Sequence, residues 1–318
     1  MGQLLALVRA NLSALVIVVL PSTAVALCRG STFDLLFRGN DSMPRPFALV
    51  DAFTAEAYRG NPAVVFLLPH WPADQQLQLV AREMNQSETA FAVRRGDHFE
   101  LRWFTPAIEV DLCGHATLAA AHYLWEIAAA ETGLPITFST RSGRLIAAPR
   151  GERIELDFPL IEQAPQQLPE ELREALGVAP VYTGKGRFDW LVEVATEREV
   201  LEACPNFDRL GKAEGRGFIL TAKASNSQGT NSPKYDFLSR FFAPAAGINE
   251  DPVTGSAHCC LAGYWASKLG KPSMLGYQAS QRGGEVAVEV RGDRVLLGGA
   301  AITIFTGQLL APLLEVAG

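Results

Sequence analysis

Cysteine is scarce in this sequence of 318 residues, which has five, none of them in a C-x-x-C pair. An odd number without paired spacing fits neither a disulfide framework nor a zinc knuckle. We therefore expect reduced thiols in a cytoplasmic protein, since buried free cysteine commonly packs as a small apolar side chain. One alternative stays open, a metal site formed by Cys113, His115, His258 and Cys259. The remaining cysteines are Cys28, Cys204 and Cys260.

Positive charge is also in short supply. The chain has 28 Lys and Arg residues against 34 Asp and Glu, for a formal net charge of -6. Because a phosphate backbone needs a basic face, this balance argues against a nucleic-acid partner. Apolar residues make up 48% and charged residues 19%, which is typical of a globular protein with a full core. At this length we expect two domains. Because the charge balance argues against nucleic acid, we expect a small-molecule partner. We also expect no membrane association of the mature domain.

Three common catalytic signatures are missing. The sequence has no Walker phosphate loop, no G-x-G-x-x-G after a predicted strand and no G-x-S-x-G nucleophile elbow. These absences disfavour phosphoryl transfer, dinucleotide-dependent redox chemistry and serine hydrolysis. We therefore expect an enzyme that needs no cofactor and no metal.

The first 42 residues differ in composition from the rest of the chain. Their apolar run is short and interrupted by proline, so it does not predict a membrane span. A secretory signal peptide in residues 1–27 stays open, because Ala24 and Ala26 form an A-x-A pattern. We favour the alternative, an upstream extension at 1–42 before a folded part that begins near Pro44.

Short strands and helices alternate along the remaining chain. Period-two apolar patterns predict strands, and the spacing of apolar residues at 73–84 predicts an amphipathic helix. A second, alanine-rich helix begins at Gly114. The polar stretch 161–171 is the best linker candidate, and the segment 224–234 is expected to be a mobile surface loop. This mixture predicts an α+β protein.

An internal repeat divides the chain into two similar parts. The segment Arg102–Ala107, RWFTPA, matches Arg240–Ala245, RFFAPA, and each leads to a helix that begins with glycine. When Gly114 is aligned with Gly255, alanine and tyrosine residues of the two helices coincide, although the second copy carries three extra residues before its glycine. So many coincident positions favour two copies of one structural unit. We expect the two copies to face each other.

The paired glycines mark two helix N-termini that would point toward one cleft. Unpaired N–H groups and the helix dipole attract an anion, so a substrate carboxylate is expected there. Gly114 and Gly255 would let the backbone approach the ligand, and His115 and Ser256 offer side-chain hydrogen bonds. A plainer interpretation also stays open, in which the glycines only begin the helices.

Four short segments carry a resemblance to a known family. They are 60–62 (GNP), 85–89 (NQSET), 111–117 (DLCGHAT) and 250–256 (EDPVTGS). In this order and spacing they resemble the signature segments of the PhzF-like, or phenazine biosynthesis-like, isomerases. The resemblance covers the chain from Pro44 to its C-terminus. Four matching segments are a far more specific signal than a single glycine motif.

The resemblance implies a fold similar to diaminopimelate epimerase. Such a fold has two pseudo-symmetric domains, each a β-barrel-like sheet around a central helix, with the active site between them. On this basis the N-terminal half comprises 44–160 together with a returning C-terminal strand at about 304–318, and the C-terminal half comprises 166–303. A homodimer is left open.

The resemblance also implies catalytic residues. In epimerases and racemases of this fold, two cysteines exchange a proton with the substrate, and the corresponding positions here are similar to Glu88 and Asp251. Glu88 is expected to act as acid and base, because burial can raise the pKa of a carboxyl group and fixed donors can stabilise developing charge. Asp251 would hydrogen-bond His115 or relay the proton, or it would only cap the following helix. Ser256 would bind the substrate or relay the proton in turn.

The predicted function is therefore a cofactor-independent isomerase that moves a proton on a small carboxylate. The natural substrate is left open, because alanine follows Gly114-His115 where the phenazine enzyme has proline. Two alternatives remain, a cysteine-dependent racemase or epimerase and a non-catalytic small-molecule-binding protein of the same fold. The predicted catalytic residues are Glu88, His115 and Asp251, and the predicted substrate-binding residues are Gly60, Asn61, Gly114, Gly255 and Ser256.

Overall fold

A computed structural model describes residues 44–213, 215–225 and 235–313 of the chain. Strands dominate these residues, and helices alternate with them. The first elements are β1 (Arg45–Ala52), β2 (Asn61–Leu68), α1 (Asp74–Met84), β3 (Glu88–Arg95), β4 (His98–Phe104), β5 (Glu109–Val110), α2 (Gly114–Glu126), β6 (Ile136–Thr140), β7 (Gly143–Arg150), β8 (Arg153–Pro159) and β9 (Gln163–Pro165). The later elements are α3 (Glu170–Leu176), β10 (Pro180–Gly186), β11 (Asp189–Val194), α4 (Glu197–Glu202), α5 (Phe207–Leu210), β12 (Gly217–Lys223), β13 (Phe237–Ala243), a 3₁₀ turn (Pro244–Ala246), β14 (Ile248–Asp251), α6 (Gly255–Leu269), β15 (Ser273–Gln278), β16 (Gly284–Arg291), β17 (Arg294–Gly299) and β18 (Ala301–Leu309).

Strand pairing follows the same order twice. In the first half, β1 pairs antiparallel with β2, β2 parallel with β3, β3 antiparallel with β4 and β4 parallel with β6, which continues antiparallel through β7 to β8. In the second half, β10, β11, β12, β13, β15, β16 and β17 repeat this order and these directions. The repeat found in the sequence is therefore also a repeat of sheet topology.

Among the described residues, three strand pairings connect the two halves. β8 pairs with β17, β9 crosses to pair with β10, and β18 returns to pair with β1. Each half therefore supplies the strand beside the first strand of the other. The returning strand expected at about 304–318 is found at Ala301–Leu309, and residues 314–318 lie outside the described residues. The domain boundaries themselves stay predictions.

A largely buried helix lies against the strands in each half. α2 contacts β1, β2, β3 and β8, while α6 contacts β15, β16 and β17. Both helices are rich in alanine and bury most of their residues. Alanine combines a high helix propensity with a small side chain, so it suits a helix enclosed by strands. This arrangement positions both helix N-termini.

Equivalent ion pairs support the segment that leads into each of these helices. In the first half, Arg102 of β4 binds Glu109 of β5 through two hydrogen bonds of 2.7 Å. In the second half, Arg240 of β13 binds Glu250 of β14 through hydrogen bonds of 2.7 and 2.9 Å. A bidentate arginine–carboxylate pair fixes both partners in orientation as well as distance. The conserved arrangement of the two pairs extends the repeat to side-chain contacts.

Most predicted elements are found, with one difference in the linker candidate. The helix expected at 73–84 is α1, and the alanine-rich helix begins at Gly114 as predicted. The segment 161–171 instead contains β9 and the start of α3, because the backbone of Gln163–Pro165 pairs with β10. The predictions for residues 1–42 and for 226–234 of the loop lie outside the described residues. Within the described part of the chain, every helix is too short or too polar to cross a membrane.

Candidate active site

The N-termini of α2 and α6 meet at their first residues. A Cβ atom on Gly114 would lie 3.4 Å from the Cα atom of Gly255, and a Cβ atom on Gly255 would lie 3.4 Å from the Cα atom of Gly114. The absence of side chains lets the two helices begin side by side. Because the first N–H groups of a helix have no partner within it, this junction concentrates hydrogen-bond donors and positive helix-dipole ends.

Glu88, the first residue of β3, has a side chain that is 15% exposed. Its Oε2 atom lies 3.3 Å from Nε2 of His115. Burial raises the pKa of Glu88 to about 7, and the negative charge of Asp251 adds to this rise, while hydrogen bonds from Ser87 and Cys113 oppose it. A carboxyl group with a pKa near neutrality can both accept and donate a proton.

His115 is a neutral partner of Glu88, because burial lowers the pKa of the imidazole to about 3. Its Nδ1 atom faces Asn61 Nδ2 at 3.2 Å and Cys113 Sγ at 3.6 Å. Glu88 Oε2 faces Nε2, and an ionised carboxylate only accepts hydrogen bonds, so the ring proton lies on Nε2 when Glu88 is charged. Nε2 also lies 3.4 Å from the hydroxyl of Ser87. The imidazole therefore presents a donor to the Glu88 carboxylate.

Asn61, which is fully buried, connects the first half to Asp251 of the second. Its Nδ2 atom donates to Asp251 Oδ1 at 2.9 Å and to the Val253 carbonyl at 2.8 Å. Burial raises the pKa of Asp251 to about 6, while hydrogen bonds from Thr254 and Asn61 oppose the rise. The structure corrects two expectations for Asp251, the direct bond to His115 and the N-cap of α6, and its role as a proton relay stays a prediction. Asn61 lies between Asp251 and His115, and Thr254 rather than Asp251 is the N-cap of α6.

The turn before β2 is held in place by the second half of the chain. The backbone of Gly60 has φ +64°, and a Cβ atom there would lie 2.1 Å from the Ala52 carbonyl oxygen, so only glycine fits. Arg282 Nε donates to the Gly60 carbonyl at 2.8 Å, and the Gly60 N–H donates to the Gly283 carbonyl at 2.7 Å. This turn delivers Asn61 into the hydrogen-bonded cluster. Gly60 therefore shapes the site through its backbone.

Ser256, the second residue of α6, is held by an arginine. Its Oγ atom accepts a hydrogen bond of 2.8 Å from Arg216 Nη2. Arg216 also pairs with Asp189, with 2.9 Å between Nε and Oδ1. The predicted substrate-binding hydroxyl is thus fixed by a charged group of the same half.

The comparison with known families decides which kind of protein this is. A family model described as phenazine biosynthesis-like protein, PhzC-PhzF, matches residues 50–307. The chain belongs to this phenazine biosynthesis-like family. An uncharacterized isomerase of Halalkalibacterium halodurans is 52% identical over 270 residues, which cover 84% of this chain and 99% of the relative.

Solved structures of the phenazine biosynthesis-like family support the same assignment. The crystal structure of a PhzF-family protein from Enterococcus faecalis has a TM-score of 0.79 at 39% identity, over 84% of this chain and 99% of that one. A predicted epimerase from Pseudomonas aeruginosa, 20% identical, has a TM-score of 0.63 over 84% of this chain and 99% of that one, which shows the fold alone. The predicted diaminopimelate epimerase-like α+β fold is confirmed. The chain is an isomerase of the phenazine biosynthesis-like family.

Within this family fold, Cys113 lies inside the cluster and not merely near it. Cys113 is the N-cap of α2, and burial together with the charge of Glu88 raises the pKa of its thiol. Ligand atoms of Glu88, Cys113 and His115 lie within 4.8 Å of one another, as in groups that can hold a metal ion. This trio shares Cys113 and His115 with the metal site considered from the sequence, but it has Glu88 in place of His258 and Cys259. Cys259 is buried in α6.

The family-like segments led to most of the cluster but not to all of it. The structure joins Glu88, His115, Asp251 and Asn61 in one network around Gly114 and Gly255. Ser87 and Thr254 lie inside the quoted segments, so their positions were available as a signal. Arg216 lies outside every segment, and no spacing pattern marks it. The functional candidates that sequence reasoning missed are Ser87, Thr254 and Arg216.

Proposed function

We propose that this family member is a cofactor-independent isomerase that shifts a proton on a small carboxylate, with Glu88 as acid and base. The observation that carries the proposal is the setting of Glu88. Burial raises its pKa to about 7, and a neutral His115 stands 3.3 Å away. The substrate carboxylate would lie near the junction of α2 and α6, where unpaired N–H groups favour an anion.

Each proton transfer in this proposal uses the same carboxyl group. Ionised Glu88 removes a proton from an activated C–H bond of the substrate, and the electron pair of that bond moves into the adjacent unsaturated system. The neutral carboxyl group then returns the proton to a second carbon, where a new C–H bond forms. The product has the composition of the substrate, so the step needs neither oxidant nor reductant.

The surrounding groups support both states of Glu88. The Nε2–H group of His115 donates to the carboxylate and holds it in place. The negative charge of Asp251 helps to keep the pKa of Glu88 near neutrality, so that the neutral carboxyl group can form and return the proton. Fixed N–H dipoles at the helix N-termini would stabilise negative charge that develops on the substrate.

A cysteine-dependent racemase is the second candidate, since the Cys113 thiol lies in the cluster. The two helices start at equivalent positions, and their N-caps are Cys113 and Thr254. Only one of the two carries a thiol, and its pKa is raised, which disfavours the reactive thiolate. This asymmetry supports the carboxylate mechanism over exchange between two thiols.

A proton-exchange experiment in deuterated water tests the proposal. Small carboxylates with an acidic C–H bond are incubated with the enzyme, and mass spectrometry and NMR follow the position of deuterium. We expect isomerised product for the wild type and for Glu83→Gln, which alters an exposed carboxylate of α1, with deuterium at the second carbon to the extent that the Glu88 carboxyl group exchanges with solvent before it returns the proton. Glu88→Gln should give neither product nor label. Binding of carboxylates without isomerisation or exchange of any of them would favour the non-catalytic alternative.

A further inference from the structure

Arg216 precedes β12 and reaches the first turn of α6, where it is fixed by several contacts. Its guanidinium donates to Ser256 Oγ at 2.8 Å and pairs with Asp189, whose side chain is only 6% exposed. The rings of Phe188 and Phe241 lie 5.2 and 5.6 Å from its Cζ atom. The Arg216 side chain nevertheless remains 39% exposed. An arginine held this firmly is an ordered donor that solutes can still reach.

The hydrogen bonds of Arg216 leave part of its donor capacity unused. A guanidinium has five N–H groups. Nε and Nη2 serve Asp189, and Nη2 also serves Ser256. In the described part of the chain, no acceptor faces the two N–H groups of Nη1. Their planar, fixed geometry matches the oxygens of a carboxylate.

Arg216 also has a direct electrostatic connection to the candidate site. Its positive charge lowers the pKa of Asp251, against the larger effect of burial. Because the Ser256 oxygen accepts from Arg216, the hydroxyl hydrogen of Ser256 is available for another acceptor. The first N–H groups of α6 lie in the same turn. Three kinds of donor therefore lie together at the start of α6.

The repeat gives the same position a different residue in the other half. The register of β3 on β4 and of β12 on β13 makes Ser87 the first-half counterpart of Arg216. Ser87 contacts His115, the residue after Gly114, and Arg216 contacts Ser256, the residue after Gly255. The two halves therefore share this contact but differ in the side chain that makes it. In the first half it is the Ser87 hydroxyl, next to Glu88, and in the second half it is the Arg216 guanidinium.

We infer that Arg216, with Ser256 and the start of α6, recognises the carboxylate of the substrate and so orients the reacting carbon toward Glu88. The inference rests on the proposed function and extends it by naming the residue that selects an anion. It assigns the two walls of the cleft separate tasks, proton transfer to the first half and carboxylate recognition to the second. A neutral amide of the same shape should bind less well than the carboxylate.

The test compares benzoate with its neutral isostere benzamide by isothermal titration calorimetry. The wild type should prefer benzoate. The double variant Arg216→Gln/Asp189→Asn removes the guanidinium without leaving a buried carboxylate unpaired, and it should reduce the preference about tenfold or more. Arg216→Lys keeps the charge but loses the planar fork, so it should reduce the preference by a smaller factor. Arg187→Gln removes the same charge from an exposed neighbour over Phe188, and it should change the preference less than about twofold.

Circular dichroism and thermal melting establish that each variant is folded, and Arg216→Lys keeps the test decisive if the double variant is not. An unchanged preference in the folded variants would overturn the inference, as would an equal loss in Arg187→Gln. A wild type without preference for benzoate, including one that binds neither compound, would overturn it too. Because binding is measured without turnover, this result is independent of whether Glu88 exchanges a proton in deuterated water.

Discussion

The two halves of this isomerase share a framework and differ in chemistry. They have the same strand order, equivalent Arg–Glu pairs and a helix that begins with glycine. Yet strand register makes Gly217 the counterpart of Glu88, and Val110 the counterpart of Asp251. The two carboxyl groups therefore occupy non-equivalent positions. A duplicated fold supplies the paired helix N-termini, and unequal substitutions around them supply different side chains.

This inequality predicts that removing a group from one half will not have the same effect as removing a similar group from the other. In a symmetric site, two equivalent groups would each serve one face of the substrate. Here the first half contributes Glu88, His115 and Asn61, and the second contributes Asp251 and Ser256. Substitutions made in pairs across the halves therefore measure how far the division of tasks extends.

The largest effect is expected for Glu88→Gln. The amide keeps the size of the carboxyl group but cannot accept a proton at neutral pH, so kcat should fall by roughly 10²–10⁴, or about 3–5 kcal/mol of barrier. Steady-state kinetics on any carboxylate that exchanges provides the measurement, with Glu83→Gln as the exposed control. Ordinary turnover by a folded Glu88→Gln variant would remove Glu88 from the mechanism.

A smaller loss is expected for Asp251→Asn, because the proposed mechanism uses the charge of Asp251 only to raise the pKa of Glu88. We expect kcat to fall roughly 10–10²-fold, the range below full loss of an acid or base. Asp111→Asn is the matched control, since Asp111 precedes Gly114 in the first half but is exposed. Its kcat should be unchanged within about twofold. If kcat fell equally in the two variants, the loss in Asp251→Asn would come from its place before a helix and not from the buried setting of its carboxyl group.

The raised pKa of Glu88 also predicts how stability depends on pH. Folding raises this pKa from 4.5 to about 7, so the folded state favours the proton. The stabilising contribution is complete below pH 4.5 and is lost as pH rises through 7, a change of about 3 kcal/mol. Glu88→Gln cannot lose it. The decrease in the free energy of unfolding between pH 5 and pH 8, measured with urea, should therefore be about 2 kcal/mol smaller in Glu88→Gln.

Glu83→Gln should keep the pH dependence of the wild type, because its carboxylate is exposed. If Glu88→Gln shows the same decrease in stability as the wild type between pH 5 and pH 8, Glu88 has an ordinary pKa in the folded protein.

The smallest effect is expected at the N-cap of α2, where Cys113→Ser should change kcat less than about fivefold. Serine keeps a small polar side chain, and the proposed mechanism requires no thiolate. Alkylation is tested in a Cys204→Ser background, since Cys204 is exposed and Cys113 is buried. A loss on the order of 10³ on Cys113→Ser would instead favour the cysteine-dependent racemase.

Sequence periodicity and the repeat were sufficient for most of the fold. Alternating apolar residues marked the strands, and Gly114 marked the start of α2. The pairing of Gln163–Pro165 could not be predicted, because a polar, proline-containing stretch forms a strand only when an unpaired edge is available nearby.

Local motifs predicted the candidate site better than its connections. The segment around Glu88 and that around His115 were both recognisable, whereas the contact between them depends on how distant strands pack. Asn61 bonds to Asp251 across 190 positions of sequence, and Arg216 bonds to Ser256 across 40. Local sequence patterns do not predict such distant pairs. The partners of Asp251 and the contact of Arg216 with Ser256 therefore became visible only in the structure.

The exchange of β9 and β18 relates this single chain to a domain-swapped dimer. Two copies of one unit that trade terminal strands form such a dimer when they are separate molecules, and in that state each substitution appears in both subunits. Once a continuous chain joins the copies, each position can change alone. For example, β3 begins with Glu88, whereas its counterpart β12 begins with Gly217. A dimer of identical subunits could not have this difference. The pairings of β9 and β18 thus tie the two halves into one sheet, while the sequences of the two halves can differ position by position.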